Sequence, residues 1–146
     1  MKCYIKDYPR PQLVRKDWKN LNGKWKFWYG DEEQPQIREI TVPFTYETPA
    51  SGINDTEVHG SVWYERTVEL KSVDPDTHSV LLHFEGSDYR TRVWINGWLV
   101  GEHTGGYERF TFDITEYVKG GENKIRVCVE DSLSMTQPRG KQRWQK

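Results

Sequence analysis

The sequence predicts an all-β fold, a sandwich or jelly roll of roughly eight short strands. Three observations carry this. Short runs alternate apolar and polar residues with period two, the signature of a half-buried strand. Clusters of Gly, Pro, Asn and Asp separate those runs at regular intervals. No stretch has the 3.6-residue apolar spacing of an amphipathic helix of any length.

Residues 1–20 are polar and carry Pro9 and Pro11. Proline fixes its own φ and keeps the preceding residue out of the α region, so this part is expected to lie extended, as an arm over a body spanning 21–131. A turn over 17–23 leads into a strand at 24–29, where Trp25, Phe27 and Tyr29 alternate with Lys24, Lys26 and Trp28. A second, short strand at 37–42 ends at Pro43. Residues 44–60 form a long loop, and loops of that length in a compact domain are usually functional or edge contacts. Strands follow at 61–70 and at 79–85, the latter with Val80, Leu82 and Phe84 on one face and His83 on the other.

The most organised stretch is 88–115. Thr91, Val93 and Ile95 share one strand face, and Arg90, Arg92 and Trp94 the other. Asn96-Gly97 is the dipeptide of a type I′ hairpin turn, in which both central residues need positive φ. The returning strand, 98–100, is expected to stop at Gly101, with the glycines of 101–106 forming a bend before a third apolar strand closes on Asp113. A helical turn is expected at 115–118. A last strand covers 123–131, with Ile125, Val127 and Val129 inward and Arg126, Cys128 and Glu130 outward. Residues 132–146 lack alternation and read as a linker or docking tail.

Composition narrows the function. Lys and Arg number 21 against 22 Asp and Glu, so the chain lacks the basic excess that nucleic-acid binding uses. No run approaches the ~18 apolar residues of a membrane span. Two cysteines in 146 residues are no disulfide framework. The opening residues lack the apolar h-region of a signal peptide, and the expectation is a soluble, cytoplasmic protein.

The search for chemistry finds little. Asp31, Glu32, Glu33, Asp55, Glu57, Asp74, Asp76 and Glu122 fall in loops and read as solvated carboxylates. His59, His78, His83 and His103 are scattered, no two at metal-ligand spacing, so no metal site is expected. Gly-x-Ser-x-Gly is absent, and the glycine-rich 101–106 leads into no helix whose N-terminus would hold phosphate; no cofactor is expected. The aromatic load is high, at seven Trp and eight Tyr. Strand cores account for much of it. Trp94 and Trp98, with Arg92 nearby, either form a carbohydrate-stacking platform or pack against the arm or a further domain.

Several motifs, in order, resemble the opening of glycoside hydrolase family 2 enzymes: Leu21-Asn22-Gly23-Lys24-Trp25, Val42-Pro43-Phe44, Val62-Trp63-Tyr64-Glu65-Arg66 and Val93-Trp94-Ile95-Asn96-Gly97. The pattern continues with Gly105-Gly106-Tyr107, then Phe110 and Asp113-Ile114-Thr115, then Gln137-Pro138-Arg139-Gly140-Lys141-Gln142. The resemblance covers nearly the whole chain. It implies the N-terminal sugar-binding domain of a β-galactosidase-like or β-glucuronidase-like enzyme, with a galactose-binding-like jelly roll. Members of the family carry an immunoglobulin-like domain next, then a TIM barrel holding the two glutamates of a retaining mechanism.

The resemblance therefore implies a β-glycoside partner, contacts with those downstream domains, a possible homo-oligomer, and a fragment that is inactive alone. It also implies two places at the rim of the substrate pocket: the loop around Glu47, Asn54 and Asp55, and the tail at Arg139, Lys141 and Gln142. The alternative is a free-standing carbohydrate-binding module built on Trp94 and Trp98.

Overall fold

The computed structural model describes residues 16–131; most of the expected arm, with Cys3, and the whole expected tail, with Arg139, Lys141 and Gln142, lie outside the described residues. Eight strands form: β1 (Gly23–Tyr29), β2 (Arg38–Val42), β3 (Ser61–Leu70), β4 (Leu81–Phe84), β5 (Arg90–Ile95), β6 (Trp98–Thr104), β7 (Phe110–Asp113) and β8 (Gly121–Glu130). Six make one antiparallel sheet in the order β2-β1-β3-β8-β5-β6, and β4 pairs with β7 in the second. Among the described residues, two single 3-10 turns, Pro49–Ser51 and Thr115–Tyr117, complete the regular structure.

The alternation seen in the sequence sets the inner face. Trp25, Phe27 and Tyr29 of β1, Thr91, Val93 and Ile95 of β5, and Ile125 and Val127 of β8 are all buried. Leu82 of β4 and Ile114, just after β7, join the same cluster, so the core lies between the two sheets. At its centre Phe27 is fully buried, edge-on to Tyr29 and Tyr64 with centroids 5.2 Å away, a favoured aromatic geometry.

The hairpin turn forms as its residues require, with φ of 52° at Asn96 and 92° at Gly97. Asn96 does more than turn. Its side chain donates to the Tyr117 carbonyl and to Asn123 Oδ1, and accepts from the Lys124 amide. Asn123 is 1% exposed, yet both lone pairs of its oxygen and both amide hydrogens are used, on Asn96, Lys119 and Gly121. A buried amide satisfied this fully fixes the register of β8 against the hairpin.

Three local expectations are corrected. β6 does not stop at Gly101 but runs on to Thr104, absorbing Val100 in a bulge opposite Val93 and Trp94. Gly101 is there for closeness: a Cβ would lie 2.7 Å from the Phe112 ring. The fourth strand is shorter than 79–85, because only 81–84 finds a partner in β7. Cys128, expected outward, does point to the outer face but is 1% exposed, flanked in register by Trp63 and Arg92. Burial pushes its thiol pKa up, which leaves it unreactive.

That outer face is an ordered surface. Trp28 and Trp63 stack at 6.0 Å, and Trp63 meets Trp94 at 5.2 Å. Arg126 lies over Trp28 and Arg92 over Trp94, each 5.6 Å from the ring centre. Glu65, buried at the middle of β3, accepts two bonds from Arg126 and faces Lys26 at 3.6 Å. Burial opposes its ionisation, but the Arg126 hydrogen bonds and charge outweigh that and hold its pKa low. Arg92 pairs with Glu130.

Replacing Gly101 by Ala is expected to destabilise the chain by about 1–3 kcal/mol through overpacking against Phe112. Gly60 has nothing within 4 Å of a built Cβ, so its Ala variant should stay within about 0.5 kcal/mol of the parent. Urea unfolding of both variants measures this; equal stabilities would refute the close-approach role.

Candidate functional site

One end of the sandwich gathers the chemistry. Tyr29 ends β1, the loop carrying Asp31 and Glu32 follows, and Arg38 opens β2. The long connection from β2 to β3 returns to this end. It is built by its own hydrogen bonds: Ser51, fully buried, donates to the Thr48 carbonyl and accepts from the Ile53 amide, and the Asp55 amide donates to the Tyr46 carbonyl. Gly52 and Asn54 take the left-handed backbone conformation, at φ 86° and 56°, which turns the chain back so that 55–59 lie over Tyr29. Asn tolerates this conformation better than most residues do.

Asp55 is the hub. Its Oδ2 accepts from the Tyr29 hydroxyl at 2.7 Å and meets His59 Nε2 at 3.2 Å, while Oδ1 accepts from the Glu57 amide at 2.9 Å. The His59 ring stacks on Tyr29 with centroids 3.5 Å apart and 9° between planes, and its Nδ1 faces Asp31 at 3.5 Å. Tyr46 meets the same imidazole edge-on at 5.8 Å. Arg38 lies 4.8 Å over the Tyr29 ring and pairs with Glu32 at 2.8 Å.

The electrostatics follow from these contacts. The Tyr29 hydrogen bond, helped by the Glu57 amide and by His59, lowers the Asp55 pKa to about 2. Burial, then Asp55 itself, pushes the Tyr29 phenol well above its usual range, so it remains a donor at any physiological pH. Arg38 and the Gln36 amide hold Glu32 low. Asp55, Glu57 and His59 bring one donor atom each within 4.8 Å of one another. The Asp55 oxygen already serves Tyr29 and His59, so the grouping is complete as a hydrogen-bonded unit.

The expected site residues fare unequally. Asp55 is no free loop carboxylate, as read with the other loop acids; it is the anchor of the loop. Asn54 sits next to it, exposed, as a backbone turn, and Glu47 stands exposed on the same loop. Trp94 and Trp98 do not share a platform. Trp94 pairs across from Leu99 on the outer face, whereas Trp98 pairs across from Ile95 and so lies on the other side of the sheet, 70% exposed at the edge. The partners of Trp94 are Trp63 and Trp28. His83, expected outward, stacks on Trp18 and bonds Thr111. Tyr29, Tyr46, Arg38 and His59 went unrecognised in the sequence as one group. The signal was Asp55-x-Glu57-x-His59, three ionisable residues at alternate positions in a Gly-flanked loop.

A depressed carboxyl contributes stability above its unfolded pKa, about 3.9, and loses it as pH falls toward its folded value. Asp55→Asn is therefore expected to lower Tm at pH 7 relative to the parent. The gap should close between about pH 4 and the Asp55 value of about 2. Thermal melts across that range test it, and a gap that persists at pH 2 would refute the assignment.

Comparison with known proteins agrees with this architecture. Residues 32–140 match the family model described as glycosyl hydrolases family 2, sugar binding domain. The chain is 34% identical over 121 residues to a beta-galactosidase of Thermoanaerobacter pseudethanolicus, covering 78% of this chain and 16% of that enzyme. It is 32% identical over 152 residues to the beta-glucuronidase of Canis lupus familiaris, covering 87% of this chain and 23% of that enzyme. Among solved structures, a Bifidobacterium dentium beta-glucuronidase complexed with coumarin-3-O-glucuronide superposes with a TM-score of 0.69 at 28% identity, over 80% of this chain and 20% of that one. The chain thus spans less than a quarter of the length of each of these relatives. With its eight-stranded sandwich and the family match over 32–140, the chain belongs to glycoside hydrolase family 2, as the sugar-binding domain of β-glucuronidase-like and β-galactosidase-like enzymes.

Proposed function

We propose that this chain is the N-terminal domain of a retaining β-glycosidase acting on β-glucuronides or β-galactosides. In this reading it braces a catalytic TIM barrel, with an immunoglobulin-like domain alongside, and presents its Asp55 end to the rim of the substrate pocket. The observation that carries the reading is the sugar-binding family match over 32–140, on a fold shared with a glucuronide-bound glucuronidase.

The geometry fits a supporting role. Glycoside hydrolysis needs a carboxylic acid still protonated near neutral pH, hence with a raised pKa. Among the described residues, the carboxyls with displaced pKa values, Glu32, Asp55, Glu65 and Asp113, are all displaced downward. They suit holding and hydrogen bonding, not proton donation. On the rim loop, Glu47 is exposed and free to reach a sugar hydroxyl, while Asp55, Tyr29 and His59 hold the loop that carries it. β8 ends at Glu130 opposite Ser61, so the chain leaves the sandwich beside this loop.

A second reading is a free-standing carbohydrate-binding module. The row Trp28–Trp63–Trp94 favours it, since aromatic faces stack on pyranose rings.

Calorimetric titration of the chain with phenyl β-glucuronide and phenyl β-galactoside separates the two. The bracing reading expects no saturable binding in the micromolar range and no turnover of a chromogenic glycoside. Micromolar binding abolished by Trp63→Ala would establish the module instead. In an enzyme containing this chain, Glu47→Ala is expected to raise KM by roughly 3–10-fold, the loss of about one hydrogen bond, with Tm unchanged.

A further inference from the structure

The geometry points to His59 as a positioning residue that holds the rim loop in a proton-dependent way, bridging Asp31 and Asp55 when its imidazole is charged. The argument is one of donors and acceptors. An ionised carboxylate only accepts hydrogen bonds, whereas a neutral imidazole has one N–H donor and one lone pair. Here both ring nitrogens face carboxylate oxygens, Nε2 toward Asp55 at 3.2 Å and Nδ1 toward Asp31 at 3.5 Å. The neutral ring can donate to one of them and must turn a lone pair toward the other. The imidazolium donates to Asp55 and pairs its charge with Asp31.

The two carboxylates belong to different segments. Asp55 shares the β2–β3 loop with His59, while Asp31 sits on the β1–β2 connection. A charged His59 thus ties the loop to the body, and a neutral one keeps a single tie. The ring cannot easily turn away, because it lies flat on Tyr29 at 3.5 Å and its side chain is only 14% exposed. Tyr29 cannot relieve Asp55 by releasing its own bond, since its phenol stays protonated.

The remaining charges have the same bias. From β2 the nearest cation, Arg38, is engaged by Glu32. Glu57 is a further exposed carboxylate on the loop itself, and from Tyr46 only a neutral ring edge faces the imidazole. A positive His59 in turn helps hold both Asp55 and Glu32 ionised.

A group that gains partners in its charged form adds stability at low pH that fades as pH rises and the group loses its proton. The test is thermal unfolding of this chain and of His59→Gln from pH 5 to 8.5, because Gln keeps hydrogen-bonding capacity without charge. The Tm advantage of the parent should be largest near pH 5 and shrink toward pH 8. A gap that is the same at every pH overturns the inference.

Should His59→Gln not fold, proton NMR titration of the imidazole in the parent and in Asp31→Asn decides. Loss of the Asp31 charge should move the midpoint to lower pH, and an unchanged midpoint overturns the bridge. The effect on sugar handling rests on the proposed function and is read separately, as a KM for glycoside that varies less with pH in His59→Gln of the enzyme carrying this chain. A pH-dependent Tm gap with an unaltered KM profile would keep the latch and refute the placement of the loop at the pocket.

Discussion

Everything in this fold hangs on the pairing of β3 with β8. The two strands match residue for residue over ten positions, from Ser61 opposite Glu130 to Leu70 opposite Gly121. They are the longest strands and lie side by side at the middle of the six-stranded sheet. β1 and β2 build outward on one side, β5 and β6 on the other. Partners so far apart in sequence close large loops, which carries an entropic cost met only when the whole face is buried together. A one-residue slip of β8 would turn Val127 outward and bring Arg126 into the core. The satisfied Asn96–Asn123 pair adds a polar lock on the register of β8 against the β5–β6 hairpin.

Aromatic packing carries the order of the core to the functional end. Phe27 touches Tyr29, Tyr46 and Tyr64, and Tyr29 in turn stacks with His59. The loop is therefore continuous with the interior. One strand, β1, supplies a core ring at Phe27 and, two residues on, the ring whose hydroxyl anchors Asp55. Because successive inward side chains lie along one strand, rigidity in the sheet becomes rigidity in the loop without any intervening helix.

The opposite face of the sheet solves a different problem. A six-stranded sheet with only a two-stranded partner leaves one broad surface uncovered by this chain's own described elements. Indoles and ion pairs occupy it together: Arg126 joins Glu65 while lying over Trp28, and Arg92 joins Glu130 while lying over Trp94. Guanidinium groups suit this position because they stack on a ring and bond a carboxylate at once. The small, buried Cys128 leaves room between Trp63 and Arg92 for the larger side chains to meet.

The sequence by itself determined the strands, their inner faces and the hairpin, since period-two burial and the positive φ of Asn96-Gly97 are local constraints written in adjacent residues. Through its motifs it also carried the family. What it could not settle was which side chains meet across the sheets and loops. Cys128 alternates outward, yet register with Trp63 and Arg92 buries it. Gly101 looks like a stop until Phe112 from another strand claims the space above it. Trp94 and Trp98 are four residues apart, but the two-residue turn and the pleat put them on opposite faces. Asp55 and His59 read as a loop acid and a stray histidine because the residue that unites them, Tyr29, is 26 positions from Asp55. Only the tertiary structure could bring that phenol beneath the loop, because hydrogen bonding and ring stacking depend on distance in space and leave no periodic trace along the chain.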